Sequence, residues 1–398
     1  MKQANKPLKR LLPLQKIRGD YLPFGRPNFS DEEIAAVTAV LRSGWVGMGP
    51  ETIAFESELA SFVGAPHVVT VNSCTSALFL ALLVHGVGPG NEVICPSLTW
   101  CATANAALYL GATPVFCDID PDTMCVTAAT VAAKLTPKTK AVMVVHYGGL
   151  AADIAAIRGV LPPTVAIVED AAHALGTTFP DGRPVGSSGN LTCFSFYANK
   201  NLSTGEGGAI ALFDDAMAAR LRSLRQSGLS ADAWKRYSHP QTALVPGVAE
   251  LGYKMNFTDL QAVIGRVQLK RQAEFRVRRL AIARRYYDSL SQLDLAVGFQ
   301  SGALGENHSR HLLVVTLPVE SMRMSRDDFI LSLRERNVGA SIHYAPLHSM
   351  PLYDPASQPD LPATERLAIR NVTLPISASM NLDDSDYVIG HILELLRS

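Results

Sequence analysis

"LTCFSFYANKNLSTGEGGAIALF" spans residues 191–213, and its reading decides the fold. Two apolar, strand-like runs, 191–198 and 207–213, enclose a polar turn. The turn holds Lys200 and glycines at 205, 207 and 208. Those glycines let the backbone turn tightly beside a bound group. A partly desolvated amine at the end of a strand can act as a nucleophile toward an aldehyde. A lysine that is merely exposed is the alternative reading of Lys200 taken alone.

Runs of the same kind recur toward the N-terminus. Strands are expected at 66–71, 91–96, 113–120, 140–147 and 164–170. Helical patterns fall between and around them, at 73–86, 99–111, 151–161 and 214–228. The stretch 30–44 has the capping-box spacing Ser30 to Glu33 and stops at Gly44. Continuous apolar strands between helices imply an α/β fold whose sheet is largely parallel and covered on both faces. Ligands in such sheets sit at the carboxyl ends of the strands.

Residues 229–257 break the pattern with a long polar segment carrying aromatics, of the kind that serves a function or a partner. A long helical stretch follows at 258–293. The segments 309–318, 325–337, 339–346 and 385–398 suggest a smaller α+β domain. The expected division is a basic arm over 1–22, a large domain over 23–275 and a small C-terminal domain over 276–398.

Bulk properties narrow the function. Of 398 residues, 47% are hydrophobic and 18% charged, as in a globular protein with large cores. Lysine plus arginine equals aspartate plus glutamate, 36 each, so charge gives no case for nucleic acid or an anionic membrane as partner. No 18-residue apolar run predicts a membrane span. The first 20 residues are too interrupted for a signal peptide and read as a loosely ordered arm. The six cysteines form no C-x-x-C pair and lie partly in apolar runs. Reduced thiols in a cytoplasmic protein are expected, with no disulfide and no metal site.

The strand ends supply the chemistry. Cys74 and Thr75 open a helix after a strand, where free N–H groups and the helix dipole favour a phosphate. Plain capping by Asn72 or Ser73 is the alternative. Trp100 follows a strand and could cover one face of a flat ring, or sit in the core. "VEDAAHALG" ends a strand with Glu169 and Asp170, and His173 comes three residues later. A buried carboxylate needs a cation, and a protonated heterocyclic nitrogen would serve; a helix cap by Asp170 and a structural His173 are the bland reading. Together these parts match a cofactor with a phosphate, a flat ring, a ring nitrogen and an aldehyde, which is pyridoxal phosphate.

At this point the sequence resembles the DegT/DnrJ/EryC1/StrS sugar aminotransferases, a branch of the fold-type I pyridoxal phosphate enzymes. The likeness covers nearly the whole chain. It is most specific in "PSLTWCATANAALYLGATPVFCDID", "VEDAAHALG", "FSFYANKNLSTGEGG" and "GYKMNFTDLQAVIGRVQLKR". It implies a large domain with a mostly parallel seven-stranded sheet flanked by helices. It implies Lys200 as the Schiff-base lysine and acid–base group, Asp170 on the pyridinium nitrogen, Trp100 stacked on the ring and His173 beside it. Cys74, Thr75 and Ser195 would hold the phosphate, and Asn256 would reach it from the neighbouring subunit of a homodimer. His343 matches a segment near the active site, with a structural role as the alternative.

The implied reaction is transfer of an amino group, with L-glutamate as donor, to a nucleotide-linked keto sugar, a 4-keto-hexose, by a ping-pong route. A keto-inositol acceptor is the near alternative, and a pyridoxal phosphate sensor without turnover the distant one. Relatives that dehydrate sugars carry histidine where this chain has Lys200. One departure stands out: "SGWVGMGP" has Gly47 and Met48 where many relatives have adjacent threonines.

Overall fold

The computed structural model describes residues 16–229, 247–293, 295–353 and 360–397. Much of the irregular segment expected at 229–257, namely 230–246, lies outside the described residues, as do residues 1–15 of the basic arm.

The first part of the chain alternates as its apolar pattern dictates. Its strands are β1 (His67–Val71), β2 (Glu92–Pro96), β3 (Thr113–Cys117), β4 (Thr139–Val145), β5 (Ala166–Asp170), β6 (Leu191–Ser195) and β7 (Gly208–Leu212). They form one sheet in the order β1-β7-β6-β5-β4-β2-β3. All neighbouring pairs from β6 to β3 are parallel, and β7 runs antiparallel to both its neighbours.

Side chains alternate across each strand, so both faces are apolar. Val68, Val142 and Val144 join one core with Phe55 and Phe194. Val69, Met143 and Ile210 join the other with Leu78 and Leu80. The helices α1 (Asp31–Ser43), α2 (Pro50–Val63), α3 (Cys74–Val84), α4 (Cys101–Leu108), α5 (Ala128–Ala132), α6 (Ile154–Val160) and α7 (Asp215–Leu224) lie among the strands in sequence. Ser30 and Glu33 close the predicted capping box on α1, and Gly44 ends it in the left-handed region. Every residue of α3 from Ala77 to Leu82 is buried, as befits a helix packed on the sheet and between its neighbours.

The expected single helical stretch at 258–293 is two helices, α8 (Asp259–Lys270) and α9 (Gln272–Leu290), which meet at Arg271. Asp259 explains the entry to α2: its carboxylate accepts from the backbone N–H groups of Gly49, Glu51 and Thr52. These are the donors that a helix start leaves unsatisfied.

A second, three-stranded antiparallel sheet has the order β10-β9-β8, from β8 (Gly298–Phe299), β9 (Leu313–Thr316) and β10 (Asn371–Leu374). Its core takes in Ile282 and Tyr286 of α9, Phe329 of α10 (Arg326–Glu335) and Val388 of α12 (Leu382–Arg397), with α11 (Pro362–Ala368) between them in sequence. Leu22 joins this core, and Arg18 pairs with Asp384 at 2.9 Å. Residue 275, the expected boundary, falls inside α9. No helix of the described residues is long and apolar enough to cross a membrane.

Gly208, the first residue of β7, pairs with Val71 and Ser195 at one sheet edge. A Cβ there would lie 2.6 Å from Cys74 N and 2.6 Å from the Ser73 carbonyl carbon. The obstacle is backbone, which cannot rotate away. Gly208→Ala should therefore destabilise by about 2–3 kcal/mol. A thermal melt should show a fall in Tm of several degrees; an unchanged Tm would mean that the start of α3 moves freely.

Candidate active site

The carboxyl ends of β1, β2, β4, β5 and β6 and the start of β7 meet at one edge of the large sheet, the place a parallel sheet offers to ligands. A cavity of about 540 Å³ opens there. Of the nine residues singled out in the sequence, Cys74, Thr75, Trp100, Asp170, His173, Ser195, Lys200 and His343 line it. Asn256 does not line the cavity of its own chain; its side-chain oxygen is buried without a partner among the described residues. Gly47 and Met48 lie outside it too, held against α8 by a bond from Asp259 N to Gly47 O. A larger surface groove of about 740 Å³, bordered by Met48, Glu56 and Arg225, contains none of the strand-end groups.

Asp170 ends β5 and is 5% exposed. Its Oδ2 accepts from Thr103 Oγ1 at 2.8 Å and its Oδ1 from Ala172 N at 3.1 Å. Burial pushes the carboxyl's pKa up, while these donors and the charge on Lys200 pull it down. Glu169, one residue earlier, points to the other face of the sheet. There it accepts from His146 Nε2 at 2.8 Å and from Asn190 Nδ2 at 2.8 Å. The pleat thus separates the two acids.

Lys200 sits on the turn between β6 and β7, which closes through Phe196 N to Gly207 O and Thr204 N to Phe196 O. Burial lowers its pKa to about 8, against the charge of Asp170, which raises it. The ammonium and the carboxylate thus act on each other across one cavity.

Ser73 caps α3 through Ser76 N at 3.1 Å, so the capping reading holds for that residue. Among the described residues no acceptor meets the N–H groups of Cys74 and Thr75, which stand free at the helix start. Ser195 Oγ accepts from Tyr197 N at 3.4 Å and lines the cavity beside them. Trp100 is 61% exposed, which excludes the core reading, and its ring centre lies 6.0 Å from that of Tyr344.

His173 accepts at Nδ1 from Gly148 N at 3.3 Å, so its proton sits on Nε2, 2.9 Å from Tyr344 Oη. Burial pushes its pKa well below the usual histidine range, then the charge on Lys200 does the same. His343 contacts Thr373 Oγ1 through Nδ1 at 2.9 Å, and burial brings its pKa down to about 3.

Three further residues belong to this set. Thr103 holds Asp170, Tyr344 holds His173, and His311 Nε2 lies 3.3 Å from Lys200 Nζ. Thr103 carries a sequence signal, being one helical turn from Thr99 and facing the same way. Tyr344 adjoins His343. His311 is a polar residue opening an apolar strand run, a weaker sign.

The donor set fits pyridoxal phosphate: two free N–H groups and a hydroxyl for a phosphate, an exposed indole for a ring, a buried carboxylate for a ring nitrogen and an amine for an aldehyde. Gly208 lets the backbone of α3 approach β7 so closely that a methyl group would fill the gap. Among the described residues no group of His, Cys, Asp and Glu is arranged to hold a metal ion.

Comparison with known proteins agrees. The family model "DegT/DnrJ/EryC1/StrS aminotransferase family" matches residues 27–393. The chain is 42% identical to the spore coat polysaccharide biosynthesis protein SpsC of Bacillus subtilis (strain 168), over 96% of this chain and 98% of that protein. Among solved structures it resembles the aminotransferase TlmJ from Streptoalloteichus hindustanus, with a TM-score of 0.85 and 37% identity, covering 95% of this chain and 99% of that one. It also resembles the PLP form of a sugar aminotransferase, Spr1654, from Streptococcus pneumoniae, described as putative, with a TM-score of 0.86 and 29% identity over 95% and 99% of the two chains.

Proposed function

From the premise that the chain belongs to the DegT/DnrJ/EryC1/StrS aminotransferase family, and is a pyridoxal phosphate-dependent sugar aminotransferase, we propose that it transfers the amino group of L-glutamate to a nucleotide-linked 4-keto-hexose. The observation that carries the reading is that Asp170 and Lys200, each feeling the other's charge, line one cavity with an exposed indole and a free helix start. The kinship with a polysaccharide biosynthesis protein supports the nucleotide-linked acceptor, because sugars are polymerised from activated forms.

When bound, the cofactor supplies an electron sink for the carbon that loses its proton. The residues of the chain do the rest. Asp170 is proposed to hold the ring nitrogen in its protonated state by charge pairing, and Thr103 to fix the carboxylate's orientation. Cys74, Thr75 and Ser195 would bind the phosphate and so set the depth of the ring. Trp100 and His173 would hold the ring plane.

Lys200 would be the acid–base group, taking the proton onto Nζ and giving it back. With a pKa of about 8, roughly a tenth of its free amine is unprotonated at pH 7. An ordinary lysine would offer about a thousandth or less. A positioned acid–base group of this kind gives about 10²–10⁴-fold in rate. Donor and acceptor use the same cavity in turn, so ping-pong kinetics are expected.

The proposal includes a cytoplasmic homodimer in which Asn256 of one protomer, whose Oδ1 has no partner among the described residues, reaches the neighbouring cavity. It also includes the division into a large domain over 23–275 and a small one over 276–398. The support is that α9 carries Ile282 and Tyr286 into the second core.

The test is a panel of nucleotide-linked 4-keto sugars and a keto-inositol, each with L-glutamate. The expected result is turnover of at least one nucleotide-linked sugar. Turnover of the keto-inositol alone would give the acceptor to the cyclic alcohols.

A further inference from the structure

Among the described residues, the side-chain amine of Lys200 has one hydrogen-bond partner, His311, with Nζ 3.3 Å from Nε2. His311 lies two residues before β9 and is 4% exposed. Its other ring nitrogen, Nδ1, is buried and has no partner among the described residues. The ring lies against that of His173, with centres 4.6 Å apart and planes inclined by 31°.

A buried imidazole kept for packing normally satisfies its polar atoms elsewhere in the chain, as His146 does with Ala152 N and Glu169. His311 does not. Among the described residues its ring bonds to the lysine alone. We propose that His311 is the positioning residue of Lys200, holding the amine in place whenever it is not bonded to the cofactor.

The imidazole suits both states of the lysine. Facing an ammonium, Nε2 presents its lone pair and the ring proton sits on Nδ1. Facing a neutral amine, the proton sits on Nε2 and is donated to Nζ. The ring itself stays neutral: burial pushes its pKa well below the usual range, and Lys200, His173, Arg279 and His343 add to the effect. Lys200 also faces Asp170 from β5 and Cys74 from α3. The inference rests on reading Lys200 as the acid–base group of the reaction.

The experiment starts with cofactor-free protein, in which acetylation of Lys200 by acetic anhydride is followed by peptide mass spectrometry across pH. The wild-type midpoint should lie at about 8. His311→Phe removes both bonds, of which the charge-assisted one to the ammonium is the stronger. Its midpoint should fall by about one pH unit, which raises labelling at pH 7 roughly fivefold. His311→Gln, whose amide oxygen can accept, should restore the wild-type profile. His311→Leu repeats the loss without added volume, so that misfolding of one variant does not decide the matter. In loaded enzyme, His311→Phe should lower kcat of the glutamate half-reaction about tenfold and change KM less than about twofold.

A wild-type labelling profile in folded His311→Phe or His311→Leu overturns the proposal. So does a Gln variant that behaves like the Phe variant. A shifted profile with unchanged kcat overturns the acid–base reading of Lys200 and leaves the hold of His311 on the amine standing.

Discussion

Lys200→Ala is expected to lower the transamination rate by about 10⁴-fold, the upper end of what one positioned acid–base group contributes. The reason is the absence of a substitute in the cavity. Among the described residues Lys200 is the one lysine that lines it. The histidines nearby are poor replacements: burial drives His173 well below its usual range and His343 to about 3, so neither accepts a proton readily near neutrality. Asp170 is tied to Thr103 and Ala172. Lys200→Arg separates charge from chemistry, because a guanidinium keeps the cation but does not give up its proton; it should fail as completely as alanine. Single-turnover rates with L-glutamate measure the loss. Borohydride reduction of the loaded wild type, followed by peptide mapping, should place the cofactor on the peptide containing Lys200. Label on another lysine, or an alanine variant within tenfold of wild type, would remove Lys200 from the mechanism.

The seven strands and most of the helices through α7 are legible because the strands are short apolar runs and the helices apolar patterns. Ser30, Glu33 and Gly44 mark the ends of one of them, α1. α2 and α5 are not among the expected helices. Two departures from the expected pattern have physical causes. The break at Arg271 leaves no trace because nothing in "LKRQAEF" is a poor helix former. α2 follows a Gly-Pro pair that reads as a loop, and the donors of its first turn are met by Asp259, more than 200 residues away. Sequence shows local caps and hides distant ones.

The site divides in the same way. Lys200, Asp170, Cys74 and Trp100 are visible because parallel strands send their carboxyl ends to one edge. His311 is hidden because it acts through another side chain, and only folding sets that distance. Choosing between Glu169 and Asp170 needs the pleat: the residue paired with His146 belongs to the far face.

Asp170→Asn should lower turnover by about 10²–10³-fold, with little change in fold. The substitution keeps the volume, and an amide oxygen can still accept from Thr103 Oγ1, so the strand end stays in place. What it removes is the negative charge. A carboxylate within about 4–6 Å of a cationic nitrogen shifts that nitrogen's pKa by about 1–3 units, and losing it lowers the protonated fraction correspondingly. The coupling is reciprocal. Burial alone pushes the Asp170 carboxyl up, so a cation facing it is also what keeps it ionised. Cofactor binding should therefore stabilise the wild type more than Asp170→Asn. A smaller rise in Tm on cofactor addition would show this without any turnover. The glutamate half-reaction should slow in kcat, because the charge acts on the step that removes the proton rather than on binding of the donor. A folded Asp170→Asn protein that turns over within tenfold of wild type, with an equal thermal shift, would mean that this carboxylate faces no charge in the working enzyme and caps the loop after β5 instead.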